Sequence, residues 1–235
     1  MKPVIIIPAR YNSRRLPGKP LIKINGIPMI QRVYENCQKV FPTYVATDDF
    51  RIASLINSIG GKVIMTSSEW LNGTERCAEA ARVLEKEGFD FDVVFNVQGD
   101  LPYFSTTLLT NLMESIKRPE GSIHTLVTPF DENQCLDNPN VVKVFLTRGN
   151  RALYFSRHPI TYERYFKHIG MYVFTKEALQ EIVKSPPTNL EKHLELEQVR
   201  WMEAGYQIYC SIVEDNPVSV DTIEDVNYLN NEHHV

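Results

Sequence analysis

A chain of 235 residues with 43% hydrophobic and 23% charged side chains has ordinary globular composition, enough for one large α/β domain, and it excludes disordered, collagen-like and low-complexity classes. Its 25 basic and 29 acidic side chains leave a formal charge of −4, which does not favour a long polyanion, so no nucleic-acid partner is expected, while a small anion held locally remains compatible. The apolar runs fall far short of the roughly 20 residues that span a bilayer, and no basic segment followed by an apolar one opens the sequence, so the expectation is no membrane partner and a cytoplasmic location.

Val4 to Ile7 is a continuous apolar run ending at Pro8, the pattern of a strand buried on both faces. Met29, Ile30, Val33, Tyr34, Cys37, Val40 and Phe41 then fall on one helical stripe. Strand Tyr44 to Ala46, a short helix through Ile52 to Ile59 closed by Gly60-Gly61, and strand Val63 to Met65 follow. A helix from Thr74 to Glu87, strand Val93 to Val97 and a helix carrying Leu108 to Ile116 continue the alternation. Such repeated β-α-β units predict a mostly parallel sheet covered by helices on both faces.

The middle of the chain changes character. Ile123 to Pro129, Val141 to Thr147 and Ala152 to Ser156 read as strands with little helix between them, and Arg148-Gly149-Asn150 reads as a hairpin turn. Ile169 to Phe174 is a further strand, and Glu177 to Lys184 a helix stopped by Pro186-Pro187. Thr188 and Glu191 form a capping-box pattern that opens one helix to about Ala204, with Gly205 beyond its end. Gln207 to Val213 closes the sheet, and Thr222 to Asp225 caps a last short helix. The four cysteines, Cys37, Cys77, Cys135 and Cys210, show no metal-binding spacing and are expected to be buried thiols.

Ligands of open α/β sheets bind beyond the carboxyl ends of the strands, so the segments there carry the chemistry. The stretch from Ala9 to Pro20, after the first strand, contains Arg10, Arg14, Arg15 and Lys19 and no acid, with Gly18 giving access to the backbone, a pattern suited to a polyphosphate. Ser13 and Pro20 exclude a Walker A motif, and G-x-G-x-x-G, H-E-x-x-H and G-x-S-x-G are absent. Asp100, following Gly99 after the fourth strand, suits magnesium, which takes one or two carboxylates together with phosphate oxygens and water. Asp221 is the second candidate, its alternative being a neighbour of a helix cap.

The run Ile7-Pro8-Ala9-Arg10-Tyr11 through Arg15-Leu16-Pro17-Gly18-Lys19-Pro20-Leu21 resembles the opening of the 3-deoxy-manno-octulosonate cytidylyltransferases, the CMP-Kdo synthetase family. Val45 to Asp49, Gly73 to Arg76, Asn96 to Asp100, Ala152 to Arg157, Lys167 to Tyr172, Leu196 to Arg200 and Val220 to Thr222 resemble further motifs of that family in the same order. The resemblance implies a Rossmann-like nucleotidyltransferase fold over residues 1 to 235, with an antiparallel insert at about 123 to 170 that lies on the sugar side and forms a homodimer. It implies that Arg10, Lys19, Asp100 and Asp221 are catalytic and that Asp100 and Asp221 hold Mg²⁺. Arg10, Arg15, Lys19, Gly73, Thr74, Arg76 and Asp100 would bind CTP, and Gln98, Arg157, His168, Tyr172, Glu197 and Gln198 would surround a 3-deoxy-ulosonic acid.

The implied reaction moves CMP from CTP to the anomeric hydroxyl of the acid, Kdo first among candidates, for lipopolysaccharide precursors. Another sugar acid, amino-substituted or sialic-acid-like, and a catalytically silent nucleotide-binding relative are the alternatives. A metal-dependent glycosyltransferase would want an Asp-x-Asp motif that Gly99-Asp100-Leu101-Pro102 does not supply. Leu101, Glu75 and a shortened stretch between Arg157 and His168 depart from the family pattern, so the sugar preference is expected to differ in detail from plain Kdo. Arg157 is the expected guanidinium for the sugar carboxylate, the alternative being a local pair with Glu163.

Overall fold

The computed structural model describes residues 1–13, 15–70, 72–130, 137–158 and 164–231. They form two compact units, one of Met1–Thr106 with Pro217–Val235 and one of Thr107–Asn216. The antiparallel stretch expected at 123 to 170 therefore belongs to a larger unit that has helices of its own.

The first unit opens with β1 (Pro3–Ala9), followed by a 3-10 turn at Lys19–Leu21, the hairpin β2 (Lys23–Ile24) and β3 (Ile27–Pro28), and α1 (Met29–Cys37). It continues through β4 (Thr43–Thr47), α2 (Phe50–Ser58), β5 (Val63–Met65), α3 (Gly73–Lys86) and β6 (Val93–Val97). The strands lie in the order β6-β1-β4-β5, all parallel. From Val4 to Ala9 every residue of β1 is buried, as a strand with helices on both faces requires.

The strand runs through Pro8, where the sequence pattern had ended it. Pairing with β6 stops at Ile6 opposite Asn96, so the missing N–H of Pro8 removes no ladder bond on that side. The β2–β3 hairpin was passed over in the sequence although its turn, Asn25-Gly26, carries the residue pair that best tolerates two successive positive φ angles, here 47° and 80°.

The second unit holds α4 (Thr107–Ile116), β7 (Ile123–Thr128), β8 (Lys143–Leu146), β9 (Ala152–Ser156), β10 (Tyr165–Thr175), α5 (Lys176–Ile182), α6 (Asn189–Leu194), α7 (Glu197–Glu203) and β11 (Ile208–Ile212). Strand β7 pairs β11 in parallel and β10 antiparallel, and β8 pairs antiparallel with both β10 and β9. The expected β8–β9 turn is present, with Asn150 at φ 58° and its N–H on the Thr147 carbonyl. The chain then returns to the first unit with α8 (Ile223–Asn231).

One expectation fails here. The helix predicted from Thr188 to about Ala204 begins on the expected capping box but breaks into α6 and α7 at Glu195, which is left-handed at φ 53°. No Gly or Pro marks the break; burial of Leu196 overrides local helix propensity. The carbonyls of Leu194 and Glu195 that the break frees accept hydrogen bonds from the Arg157 guanidinium at 3.2 and 3.0 Å. Glu195→Gly is expected to stabilise the protein by about 0.5–1 kcal/mol, because only the Cβ penalises this conformation. Urea unfolding reads this, and a lower midpoint in the variant would show that the Glu195 side chain supports the break.

Cys37, Cys77 and Cys210 are buried thiols, as expected, and burial raises Cys37 and Cys210 above the ordinary thiol range. Cys135 lies outside the described residues. Among the described residues no helix is long and apolar enough to cross a membrane.

Candidate functional site

A cavity of about 240 Å³ opens where β1 and β6 end, lined by Pro8 and Ala9 of β1 and by Gln98, Gly99 and Asp100 after β6. Arg10, Ser13, Arg15 and Lys19 of the basic loop, Arg76 of α3 and Asp221 complete its charged and polar wall. The loop is anchored by Leu16, which packs in a buried apolar cluster with Ile24, Met29, Val220, Val226 and Leu229. That cluster also holds the start of α8, and so the residues around Asp221, beside the loop.

One backbone bond brings the aspartates together, and a helix cap holds the segment that carries Asp221. The Val220 N–H donates to the Asp100 carbonyl at 2.9 Å, and the Asp225 carboxylate accepts from the N–H groups of Asp221 and Thr222 at 2.8 Å each. The expected cap is thus the Thr222–Asp225 pair, the Thr222 hydroxyl accepting from the Asp225 N–H at 3.4 Å, which leaves the Asp221 carboxylate for the cavity. Lys19 Nζ donates to Asp100 Oδ2 at 2.8 Å and to Asp221 Oδ1 at 3.2 Å, and Arg15 reaches the same Asp221 oxygen at 2.9 Å. Burial alone would lower the Lys19 ammonium, but the charges of Asp100 and Asp221 outweigh it and hold the group above its ordinary range.

The amino end of α3 forms another wall. Asn72 and Gly73 line the cavity, and the Asn72 side chain caps the helix by accepting from the Glu75 N–H at 2.9 Å. A fourteen-residue helix aimed at the cavity adds its positive end to the four cationic side chains. A Cβ on Gly73 would lie 2.9 Å from Gln98 Nε2 and 3.1 Å from Pro8 Cγ, so the backbone approaches as closely as it does only because residue 73 is glycine.

Thr74 and Arg76 support this wall from behind. Thr74 is buried and its hydroxyl accepts from Asn96 Nδ2 at 3.1 Å; the Asn96 carbonyl oxygen in turn accepts from Gln98 Nε2 at 3.1 Å. Arg76 is held by Thr66 Oγ1 at 2.5 Å and Asp48 at 3.3 Å, while part of it faces the cavity. Ser13, Trp70 and Asn72 also line the cavity and were missed in the sequence, although Asn72 before Gly73 carried a readable signal as a helix cap. Leu101, one of the departures from the family pattern, is a buried core residue.

Of the residues expected around the sugar, Gln98 lies in the first unit and the other five in the second. Arg157 donates to three main-chain carbonyls, those of Pro139, Leu194 and Glu195, and so ties the end of β9 to the α6–α7 break. Glu163, its alternative partner, lies outside the described residues. Glu197 and Gln198 open α7 directly after the break.

Half-buried His168 and buried Tyr172 are neighbours on β10, with ring centroids 5.2 Å apart across an irregularity in the β7 register. The Thr125 hydroxyl donates to the Met171 carbonyl at 2.7 Å and meets His168 Nε2 at 2.9 Å. With its one proton so used, the hydroxyl accepts from His168, which puts the imidazole proton on Nε2. Burial drives the His168 pKa down to about 3. Burial, then the Glu197 charge, raises the Tyr172 phenol well above its usual value, and its hydroxyl has no hydrogen-bond partner among the described residues.

His168 makes a testable contribution to stability. Below about pH 6.5 the unfolded imidazole takes up a proton that the folded one refuses, so stability falls with pH by at most ~1.4 kcal/mol per unit through this group. Denaturant unfolding at pH 7.5 and 5.0 is expected to show a smaller loss in His168→Gln than in wild type; equal losses would contradict the neutral ring.

Beyond the carboxyl ends of β1 and β6 the parallel sheet gathers cations, a helix amino end, Asp100 and, from the segment leading into α8, Asp221, an arrangement whose chemistry suits a polyphosphate. Residues 4–209 match the family model described as cytidylyltransferase. The 3-deoxy-manno-octulosonate cytidylyltransferase of Parabacteroides distasonis is 42% identical, the match covering 96% of each chain. The 8-amino-3,8-dideoxy-manno-octulosonate cytidylyltransferase of Shewanella pealeana is 40% identical over 96% of each. A solved CMP:2-keto-3-deoxy-manno-octonic acid synthetase, complexed with CTP, superposes with a TM-score of 0.86 at 36% identity, covering 98% of this chain and 97% of the other. The chain belongs to the 3-deoxy-manno-octulosonate cytidylyltransferase family.

Proposed function

We propose that the protein transfers the cytidylyl group of CTP to the anomeric hydroxyl of a 3-deoxy-ulosonic acid, 3-deoxy-manno-octulosonate first among them, releasing pyrophosphate. The product would serve lipopolysaccharide precursors. The observation that carries this reading is Lys19 bridging Asp100 and Asp221 in a cavity that Arg10, Arg15 and Arg76 also line. Arg10, Arg15 and Lys19 bind the triphosphate and neutralise charge on the departing pyrophosphate, while the α3 amino end receives phosphate oxygens. The acceptor hydroxyl oxygen forms a bond to the α-phosphorus as the bond to the β-phosphate oxygen breaks, and its proton is released. Alignment and charge neutralisation supply most of the acceleration in such transfers.

Asp100 and Asp221 are hard oxygen donors facing one cavity, and no group of three or more potential ligands occurs among the described residues. That donor set fits magnesium, which fills its sphere with phosphate oxygens and water. Asp100 and Asp221 would hold the ion, which would neutralise triphosphate charge and lower the pKa of a hydroxyl near it.

Pyrophosphate release measured for the four ribonucleoside triphosphates against a panel of ulosonic acids tests the reading. CTP with the octulosonate is expected to dominate, and turnover with no ulosonic acid would contradict it. The Shewanella pealeana relative supports the 8-amino sugar as the second acid to include. A homodimer formed through the second unit is part of the proposal, supported by the exposed Leu153 and Tyr154 on β9. Light scattering is expected to give twice the chain mass, and a monomer at micromolar concentration would remove this part.

A further inference from the structure

Tyr11 is the hub of the basic loop, yet neither the sequence motifs nor the cavity lining assigns it a task. Its carbonyl accepts from the Ser13 N–H at 2.9 Å and from the Gly18 N–H at 3.0 Å, so the loop closes on it twice. Its ring lies against Gly18, where an added Cβ would sit 3.2–3.3 Å from the Tyr11 phenol oxygen, Cε2 and Cζ. Gly18 is left-handed at φ 69° and immediately precedes Lys19, so the ring limits how the turn carrying Lys19 can move.

The ring is itself held. The Arg51 guanidinium carbon stands 3.2 Å from the Tyr11 ring centroid. Arg51 is fixed by Asp49, with Nε on Oδ1 at 2.9 Å and Nη2 on Oδ2 at 2.6 Å, and Asp49 also caps α2 by accepting from the Arg51 N–H at 2.9 Å. A planar guanidinium can fork onto a carboxylate and stack on a ring at once, which a lysine ammonium cannot. Rigid contacts thus run from the start of α2 through Asp49, Arg51 and Tyr11 to Gly18, next to the ammonium that bridges the two aspartates.

We propose that Tyr11 and Arg51 are positioning residues for nucleotide binding: the Arg51-stacked Tyr11 ring sets the Gly18 turn and thereby the placement of Lys19. The proposal rests on reading the basic loop as the triphosphate site. A helix cap with a ring packed on it would affect stability alone, whereas a positioning role affects the nucleotide and spares the sugar. The phenol oxygen makes no hydrogen bond that the proposal uses, so Tyr11→Phe keeps the function and Tyr11→Ala loses it.

Calorimetric CTP binding and steady-state kinetics on wild type, Tyr11→Ala, Tyr11→Phe and Arg51→Met form the test, with thermal midpoints recorded in parallel. Arg51 is 58% exposed in its side chain, so its variant folds even if Tyr11→Ala does not. Tyr11→Ala and Arg51→Met are expected to weaken CTP binding by about tenfold or more, with the sugar KM within about twofold of wild type. Tyr11→Phe is expected to bind CTP as wild type does. CTP binding unchanged in Arg51→Met and in any folded Tyr11→Ala would overturn the proposal alone, as would equal losses for CTP and sugar that follow the thermal midpoint. Wild-type protein that binds no CTP would overturn the underlying reading of the loop as well.

Discussion

Asp100→Ala and Asp221→Ala are each expected to lower turnover by a thousandfold or more while the protein remains folded. Both carboxylates face the cavity, and both are reached by the same ammonium. Neither supports the core, since the Val220 N–H bonds to the main-chain carbonyl of Asp100 and α8 is capped by the Thr222–Asp225 pair. Loss of either removes half of the donor set proposed for a divalent ion, and stabilisation lost only in the transition state appears in kcat at about tenfold per 1.4 kcal/mol. EDTA is expected to reproduce the effect in wild type. Undiminished turnover in EDTA, or in both variants, would sink the two-aspartate assignment.

Lys19→Met is expected to separate CTP from the sugar. A lysine that is 14% exposed and close to both carboxylates is placed to meet triphosphate oxygens, so kcat/KM for CTP should fall by about a hundredfold or more while the sugar KM stays near wild type. The same change takes the ammonium from both carboxylates and leaves Arg15 on Asp221, a loss of about 1–2 kcal/mol of stability after allowance for the partial exposure of Asp100. The sign of the pH dependence follows from the raised pKa of the ammonium. Its contribution is complete below about pH 10.4 and fades as pH rises through the raised folded value, so the stability gap should be constant from about pH 6 to 9. Equal use of CTP by variant and wild type would reduce the loop to a charged surface.

The parallel strands were legible because burial on both faces leaves apolar runs such as Val4 to Ile7, and the helices between them because their stripes repeat at helical spacing. The break at Glu195 was not, since it follows from the burial of Leu196 and carbonyls taken up by Arg157, contacts made far along the chain. Likewise, family motifs could name Lys19, Asp100 and Asp221 but not that one ammonium would join the two carboxylates. The link between His168 and Thr125 across β10 and β7 had no local signal either, because strand register is a tertiary property.

The most direct measurement of the central claim is phosphorus NMR of wild-type protein mixed with CTP, magnesium and 3-deoxy-manno-octulosonate. The account predicts that pyrophosphate and a new phosphodiester resonance, that of the CMP-sugar, grow in equal amounts at the expense of CTP. Inorganic phosphate with CDP, or pyrophosphate without a sugar phosphodiester, would contradict it.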